Sequence, residues 1–194
     1  MDKLSYSLGV NIGEGMKQQG FSIEDFESFT DGLRDVYEKN IKIKPEEMNQ
    51  ILNDEYARVQ TEVVDAKKDE GEKFLAENAK RDEVTITDSG LQYEIITEGG
   101  GEIPTADKTV TVHYHGTLPN GKVFDSSVDR GQPASFPVTG VIKGWVEALQ
   151  LMKTGSKYRL FIPSDLAYGP QGAGGDIGPH QALVFEVELL SIAE

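Results

Sequence analysis

Glycine and proline are spread so unevenly along this chain that one architecture cannot cover all of it. Residues 1–82 hold 6 of the 21 glycines and 1 of the 8 prolines; residues 83–194 hold the other 15 and 7. Both residue types punctuate turns, so the first part is expected to be helical and the second turn-rich and β-containing. The acidic excess does not divide in the same way. Residues 1–82 carry 19 acids and 12 bases and the remainder 14 and 7, a net −7 in each part. The fold class expected from this split is α+β.

Three helices are readable before residue 83. Leu4, Leu8, Ile12 and Met16 recur every four residues and form an apolar stripe that ends at Gly20. Gly9 and Gly13 lie beside that stripe at i, i+4, where close approach of another helix would offset the roughly 1 kcal/mol that a helical glycine costs. Ser22 is placed to cap a second helix, whose stripe is Phe26, Phe29, Leu33 and Val36. Pro45 suits the first turn of a third, with Met48, Leu52, Val59 and Val63 on its early apolar side. Apart from Gly71, nothing breaks a helix between Pro45 and Asp82, and at about 1.5 Å per residue such a helix would span roughly 57 Å. Its second half, DAKKDEGEKFLAENAKRD, is so polar that it reads as a solvated spacer supported by pairs such as Asp69–Lys73 and Glu77–Arg81. The chain thus divides into a helical module over 1–44, a linking helix over 45–83 and a second domain over 84–194.

Strands dominate the second domain. Leu91, Tyr93 and Ile95 alternate, as do Tyr158, Leu160 and Ile162, and Leu183, Phe185, Val187 and Leu189. In VTVHYHGTLPNGKVFDSS (Val110–Ser127), Val110, Val112 and Tyr114 point one way and Thr111, His113 and His115 the other. Asn120-Gly121 reads as a hairpin turn, and the run after it sets Asp125 beside Phe124. Val146–Met152 is a short amphipathic helix. Strands with one short helix describe an antiparallel sheet wrapped on a helix.

These pieces, taken with Phe136, Val141-Ile142-Lys143-Gly144-Trp145, Leu166-Ala167-Tyr168-Gly169 and LVFEVEL from Leu183, resemble the FKBP family of peptidyl-prolyl cis–trans isomerases over residues 89 to 193. The motifs occur in the family's order and near its spacing. Residues 1–82, through YSLGVNIGEGMKQQG, resemble the dimerisation part of the Mip group (macrophage infectivity potentiator), whose members form V-shaped homodimers with a long third helix. The activity so implied is rotation about an X–Pro bond. Its barrier, about 18–20 kcal/mol, comes from lost amide resonance. The twisted amide has less charge separation than the planar one, so a dry apolar pocket binds it better. That chemistry calls for an aromatic cup and needs no triad, metal or cofactor.

The resemblance implies a site of Tyr114, Phe124, Asp125, Phe136, Val141, Ile142, Trp145, Tyr168, Ile177 and Phe185. Trp145 would be the floor under the proline ring, and Phe124, Phe136 and Phe185 the walls. The Ile142 N–H and Tyr168 hydroxyl would donate to substrate carbonyls, and Asp125 would accept a hydrogen bond or respond to the twisted carbonyl. Gly178 stands where the family usually has a proline, Ala134 where some members carry a phenylalanine, and His115 where threonine is frequent. Unfolded or partly folded proline-containing proteins are the implied partners, with rapamycin and tacrolimus as implied inhibitors. The stripe of Leu4, Leu8, Ile12, Phe26, Phe29 and Leu33 needs cover that two short helices cannot give each other, and a second copy would supply it. Residues 84–194 alone are then expected to fold as an active monomer. A holdase chaperone and an adaptor with a dead pocket are the rival readings.

A net charge of −14 argues against nucleic acid and anionic membranes as main partners. No basic segment followed by an apolar one opens the sequence, so the expected compartment is the cytoplasm, or the periplasm if a signal peptide has been removed. Cysteine is absent, which excludes disulfides and thiolate chemistry. The His113-x-His115 pair has metal-ligand spacing but only His180 to join it, Gly172–Gly175 lacks the ending of a phosphate loop, and Ser126-Ser127 reads as a strand end.

Overall fold

A computed structural model describes residues 1–193. They form two compact units, Met1–Val63 and the chain from Val64 onward. The first contains helices α1 (Lys3–Gln18) and α2 (Phe26–Glu38) and the start of α3 (Pro45–Asn78). Asp2 caps α1, accepting from the Ser5 N–H at 2.7 Å. The cap of α2 is Asp25, not Ser22. Its carboxylate accepts from the Glu27 and Ser28 N–H groups and from the Ser28 hydroxyl at 2.6 Å, and a side chain three residues earlier cannot reach those donors. Within this unit the Phe21 and Tyr56 rings meet edge-on at 4.6 Å, and Val59 is buried. The stripe does not bury itself: α1 has no buried residue. Leu4 is 70 % exposed, Leu8 57 % and Phe26 66 %, while Phe29 is half-buried.

The second unit is built on an antiparallel sheet. Its strands are β1 (Thr85–Ile86), β2 (Gln92–Thr97), β3 (Thr109–Thr117), β4 (Val123–Ser126), β5 (Ala134–Pro137), β6 (Lys157–Ile162) and β7 (Leu183–Ala193). Their order is β1-β2-β6-β7-β3-β4, with β5 also on β3. Strand β3 alternates as read, with Val110, Val112, Tyr114 and Gly116 buried and their neighbours half-buried. The turn after it is closed by the Gly121 N–H on the Leu118 carbonyl at 2.8 Å, and Gly121 alone takes positive φ there, not Asn120. Helix α4 (Lys143–Leu149) lies on the sheet. Its Trp145, Ala148 and Leu149 share one core with Val110, Val112, Leu160, Ile162, Leu183, Val187 and Leu189. Burial of each large aliphatic side chain is worth about 1.5–3 kcal/mol, which holds α4 on the sheet.

The last turns of α3 are not a solvated spacer. A Cβ on Gly71 would meet the Ala182 Cβ at 3.3 Å, so the helix passes close to the lead-in of β7 at this residue. The Phe74 and Phe161 rings pack tilted, with centroids 6.1 Å apart. The Asn78 amide donates to the Gln92 side chain at 2.8 Å, and Gln92 donates to the Leu75 carbonyl at 3.0 Å, which satisfies a buried polar pair. The helix stops at Asn78. Arg81 turns away from Glu77 to lie over the Phe161 ring and bind Glu83 and Glu94. Glu77 pairs with Lys80 at 2.6 Å instead.

Candidate active site

Where α4 meets the inner face of β3, β4, β5 and β7, the core opens into a cavity of about 410 Å³, the size of a small-ligand pocket. Each wall has a local cause. Tyr114 takes an inward position of β3, Phe124 and Asp125 sit on β4, Phe136 on β5 and Phe185 on β7. Val141 and Ile142 follow the 3-10 turn Val138–Gly140, and the Ile142 carbonyl opens α4 by accepting from the Trp145 and Val146 N–H groups at 2.9 and 3.1 Å. Tyr168, 40 % exposed, stands at the rim. Nine of the ten side chains read as site residues line this cavity, together with Gly140. Ile177 does not. It is buried in the core and faces a second concavity that shares Phe124, Asp125 and Tyr168.

The rings are held edge to face around Trp145. Phe185 lies 5.2 Å from it, Tyr114 5.4 Å and Phe136 6.1 Å, with interplanar angles between 82° and 90°, the favoured geometry for aromatic pairs. Phe124 packs on Phe185 at 5.4 Å. The Trp145 Nε1–H is buried with no acceptor among the described residues, an unmade hydrogen bond of the kind tolerated at functional sites. Gly116, to which the sequence reading gave no role, makes this packing feasible. A Cβ there would come within 2.8 Å of both the Phe124 and Phe185 rings.

A second residue absent from the sequence reading is Arg130. Tyr114 donates its hydroxyl hydrogen bond to Asp125, while Arg130 donates to the other oxygen of Asp125 and to the Tyr114 hydroxyl at 2.9 Å. The guanidinium also covers the Tyr114 ring, 5.7 Å from its centroid. Burial pushes the Asp125 carboxyl upward, but the hydrogen bonds from Tyr114 and Arg130 outweigh it and hold the group below the usual carboxylate range. Burial, reinforced by the bond to Asp125, pushes the Tyr114 hydroxyl above its ordinary value. The sequence signal for Arg130 was a cation five residues beyond a carboxylate, but only the turn closed by Gly131 on Val128 brings them together.

Outside the cavity, Ser127 is fully buried and its hydroxyl accepts from the Tyr114 N–H at 2.8 Å, fixing that residue's height on β3. His113 and His115 do share a face, where each ring Nδ1 pairs with a serine, Ser127 at 3.1 Å and Ser126 at 2.9 Å. The Gly-rich segment is a tight hairpin closed by paired bonds between Ala173 and Ile177.

An antiparallel sheet packed on one helix thus carries a preformed aromatic hollow with one carboxylate at its edge. The family model described as FKBP-type peptidyl-prolyl cis-trans isomerase matches residues 100–190, and that described as the domain amino terminal to it matches residues 1–95. The chain belongs to the FKBP-type peptidyl-prolyl cis-trans isomerases. It is 45 % identical to the FKBP-type 22 kDa peptidyl-prolyl cis-trans isomerase of Escherichia coli, over 97 % of this chain and 93 % of that protein. It is 41 % identical to the outer membrane protein MIP of Legionella longbeachae, over 98 % and 85 %. The crystal structure of FkpA from Escherichia coli superposes with a TM-score of 0.75 at 36 % identity, covering 98 % of this chain and 95 % of that one. The enzyme is a peptidyl-prolyl isomerase.

Proposed function

We propose that the cavity around Trp145 is where the X–Pro bond rotates. Its support is the edge-to-face ring set, which presents a rigid apolar cup with one fixed charge at its edge. The proline ring packs on Trp145 between Phe136, Phe185 and Val141, with Phe124 toward the flanking residue. The Ile142 N–H and the Tyr168 hydroxyl hold the neighbouring carbonyls. Asp125, kept ionised by the hydrogen bonds from Tyr114 and Arg130, acts on the carbonyl of residue X as it leaves the amide plane. No covalent bond is made, so binding the twisted amide better than the planar one is the whole of catalysis. Rapamycin and tacrolimus are the expected competitors for the cup.

The pH profile tests this assignment. Asp125 has a depressed folded-state pKa, so its charged form, and any stability it lends, is fully present above the unfolded value of about 3.9 and is lost only as pH falls through the lower folded value. Tyr114 is shifted the opposite way and stays neutral up to and beyond about pH 10. kcat/KM on an Ala-Pro peptide should therefore be flat from about pH 5 to 9. A limb with a midpoint near 6 or 7 would show that a different group, such as a histidine, governs the step.

The exposed stripe of α1 and α2 supports a two-fold homodimer, and the space over Gly9 and Gly13 is open in the single chain. Two catalytic units in one dimer would hold an unfolded client at several points and gain avidity. Sedimentation should find a dimer at micromolar concentration. Leu8→Asp with Ile12→Asp should give a monomer with unchanged peptide turnover and slower proline-limited refolding of a protein client. A monomeric wild type would instead assign the stripe to direct client capture. The cytoplasmic expectation gains no support from the relatives, one of which is called an outer membrane protein, and we place this chain outside the cytoplasm with it.

A further inference from the structure

We propose that His115 is a positioning residue for the Asp125 carboxylate, acting through Ser126 and the turn that carries Arg130. The inference rests on the assignment of Asp125 to the edge of the working cup. On the strand pair β3–β4, His115 stands opposite Ser126 and Gly116 opposite Asp125. Successive side chains point to opposite faces of a sheet, so His115 and Ser126 share the face away from the cup while Asp125 lines the cup. The His115 Nδ1 pairs with the Ser126 hydroxyl at 2.9 Å. Ser126 is buried and ends β4, and the turn that follows is fastened to it at two points. Its Oγ accepts from the Asp129 N–H at 3.1 Å, and its carbonyl accepts from the Arg130 N–H at 3.4 Å. The Arg130 guanidinium then donates to Asp125 and to the Tyr114 hydroxyl. One buried hydroxyl thus ties an imidazole on the outer face to the backbone that aims the cation at the carboxylate.

The bonding capacity of that hydroxyl explains the part an imidazole plays. A serine hydroxyl has one proton and two lone pairs, and one lone pair is taken by the Asp129 N–H. Its proton goes to the Nδ1 of the neutral ring, and its second lone pair takes the Nδ1–H of the charged ring. The Asp129 Oδ2, 3.8 Å from the same nitrogen, supports the charged form. The tether therefore holds in both charge states, in keeping with a flat pH profile. Glu186 stands opposite His115 on β7 but is paired with Lys157 and Arg159, so it does not draw the ring off Ser126. Without the ring, the Ser126 proton has no other partner among the described residues. The hydroxyl then turns to find one, and the Asp129 N–H loses its acceptor.

The test is cis–trans exchange of an Ala-Pro peptide followed by NMR, with a thermal melt of each full-length variant. His115→Ala should lower kcat about two- to fivefold, the reach of one hydrogen bond. KM and the melting temperature should hold, because the interaction weakened is one made in the twisted state. His115→Asn, whose amide oxygen offers an acceptor near the place of Nδ1, should restore most of the loss. In an Arg130→Ala background, His115→Ala should have less than about 1.5-fold further effect, since members of one network are not additive. Wild-type kcat in His115→Ala, a loss that His115→Asn does not restore, or a loss that persists in full without Arg130 overturns the inference. If Asp125→Ala lowers turnover and His115→Ala does not, positioning by His115 fails and the cup assignment stands. If Asp125→Ala has no effect, the cup assignment fails, and this inference with it.

Discussion

Replacing Asp125 with alanine should lower kcat/KM on a proline peptide at least tenfold while the melting temperature barely moves. Hydrogen bonds that involve a charged group are worth about 1.5–3 kcal/mol, and 1.36 kcal/mol is a factor of ten in rate. The Asp125 and Arg130 side chains are both about half exposed, so the lower end of that range applies. Arg130 can keep its bond to the Tyr114 hydroxyl, and water can reach what the carboxylate leaves behind. Phe185→Ala is a coarser probe. Phe185 is buried against Trp145, Phe124 and Tyr114, and its truncation should cost about 3–5 kcal/mol of stability, mixing loss of fold with loss of function. Steady-state kinetics of Asp125→Ala beside a thermal melt separates the two. Near wild-type turnover by a fully folded Asp125→Ala protein would remove the carboxylate from catalysis.

The second large effect concerns where the catalytic unit begins. A fragment of residues 64–194 should be more stable to urea than one of residues 84–194 by about 2–5 kcal/mol. Cutting at residue 84 strips Phe74 from Phe161, which is now 4 % exposed, and uncovering such a ring costs about 1.5–3 kcal/mol. It also removes both partners of the Gln92 amide, Asn78 and the Leu75 carbonyl, and deletes Arg81 from Glu94. The pocket side chains all lie beyond residue 113, so the shorter fragment should still turn over short peptides at low temperature. Equal urea midpoints and slopes for the two fragments would show that the end of α3 merely rests on the domain.

The sequence made most of this legible wherever one face of an element is buried and the other is not. In β3 the alternation of Val110, Val112 and Tyr114 with Thr111, His113 and His115 is the pleat itself, and the structure follows it residue by residue. The family motifs then brought the ring set to one place, because Phe124, Phe136, Trp145 and Phe185 each stand next to a readable strand or helix. What could not be read depends on contacts between segments remote in sequence. Gly71 and Leu75 look like parts of a polar helix until the chain near Ala182 is set against them. Arg130 looks like a turn residue until Gly131 folds it back on Asp125. Gly116 reads as one glycine in a strand, and its need emerges only when two aromatic rings cross over it. Motif order points Ile177 to the cup, yet the Ala173–Ile177 hairpin sets it at the neighbouring hollow. Ser22 lost the cap of α2 to Asp25, the residue immediately before the first helical turn.

The claim that the Trp145 cup performs the isomerisation is tested most directly by titrating rapamycin into the enzyme while following peptide cis–trans exchange and tryptophan emission in the same samples. Trp145 is the single tryptophan of the chain and lines the cup, so the emission comes from the cup alone. Loss of catalysed exchange in one-to-one proportion to the change in Trp145 emission, down to the uncatalysed rate, is the expected result. Exchange that persists when the Trp145 signal shows the cup to be filled would contradict the claim.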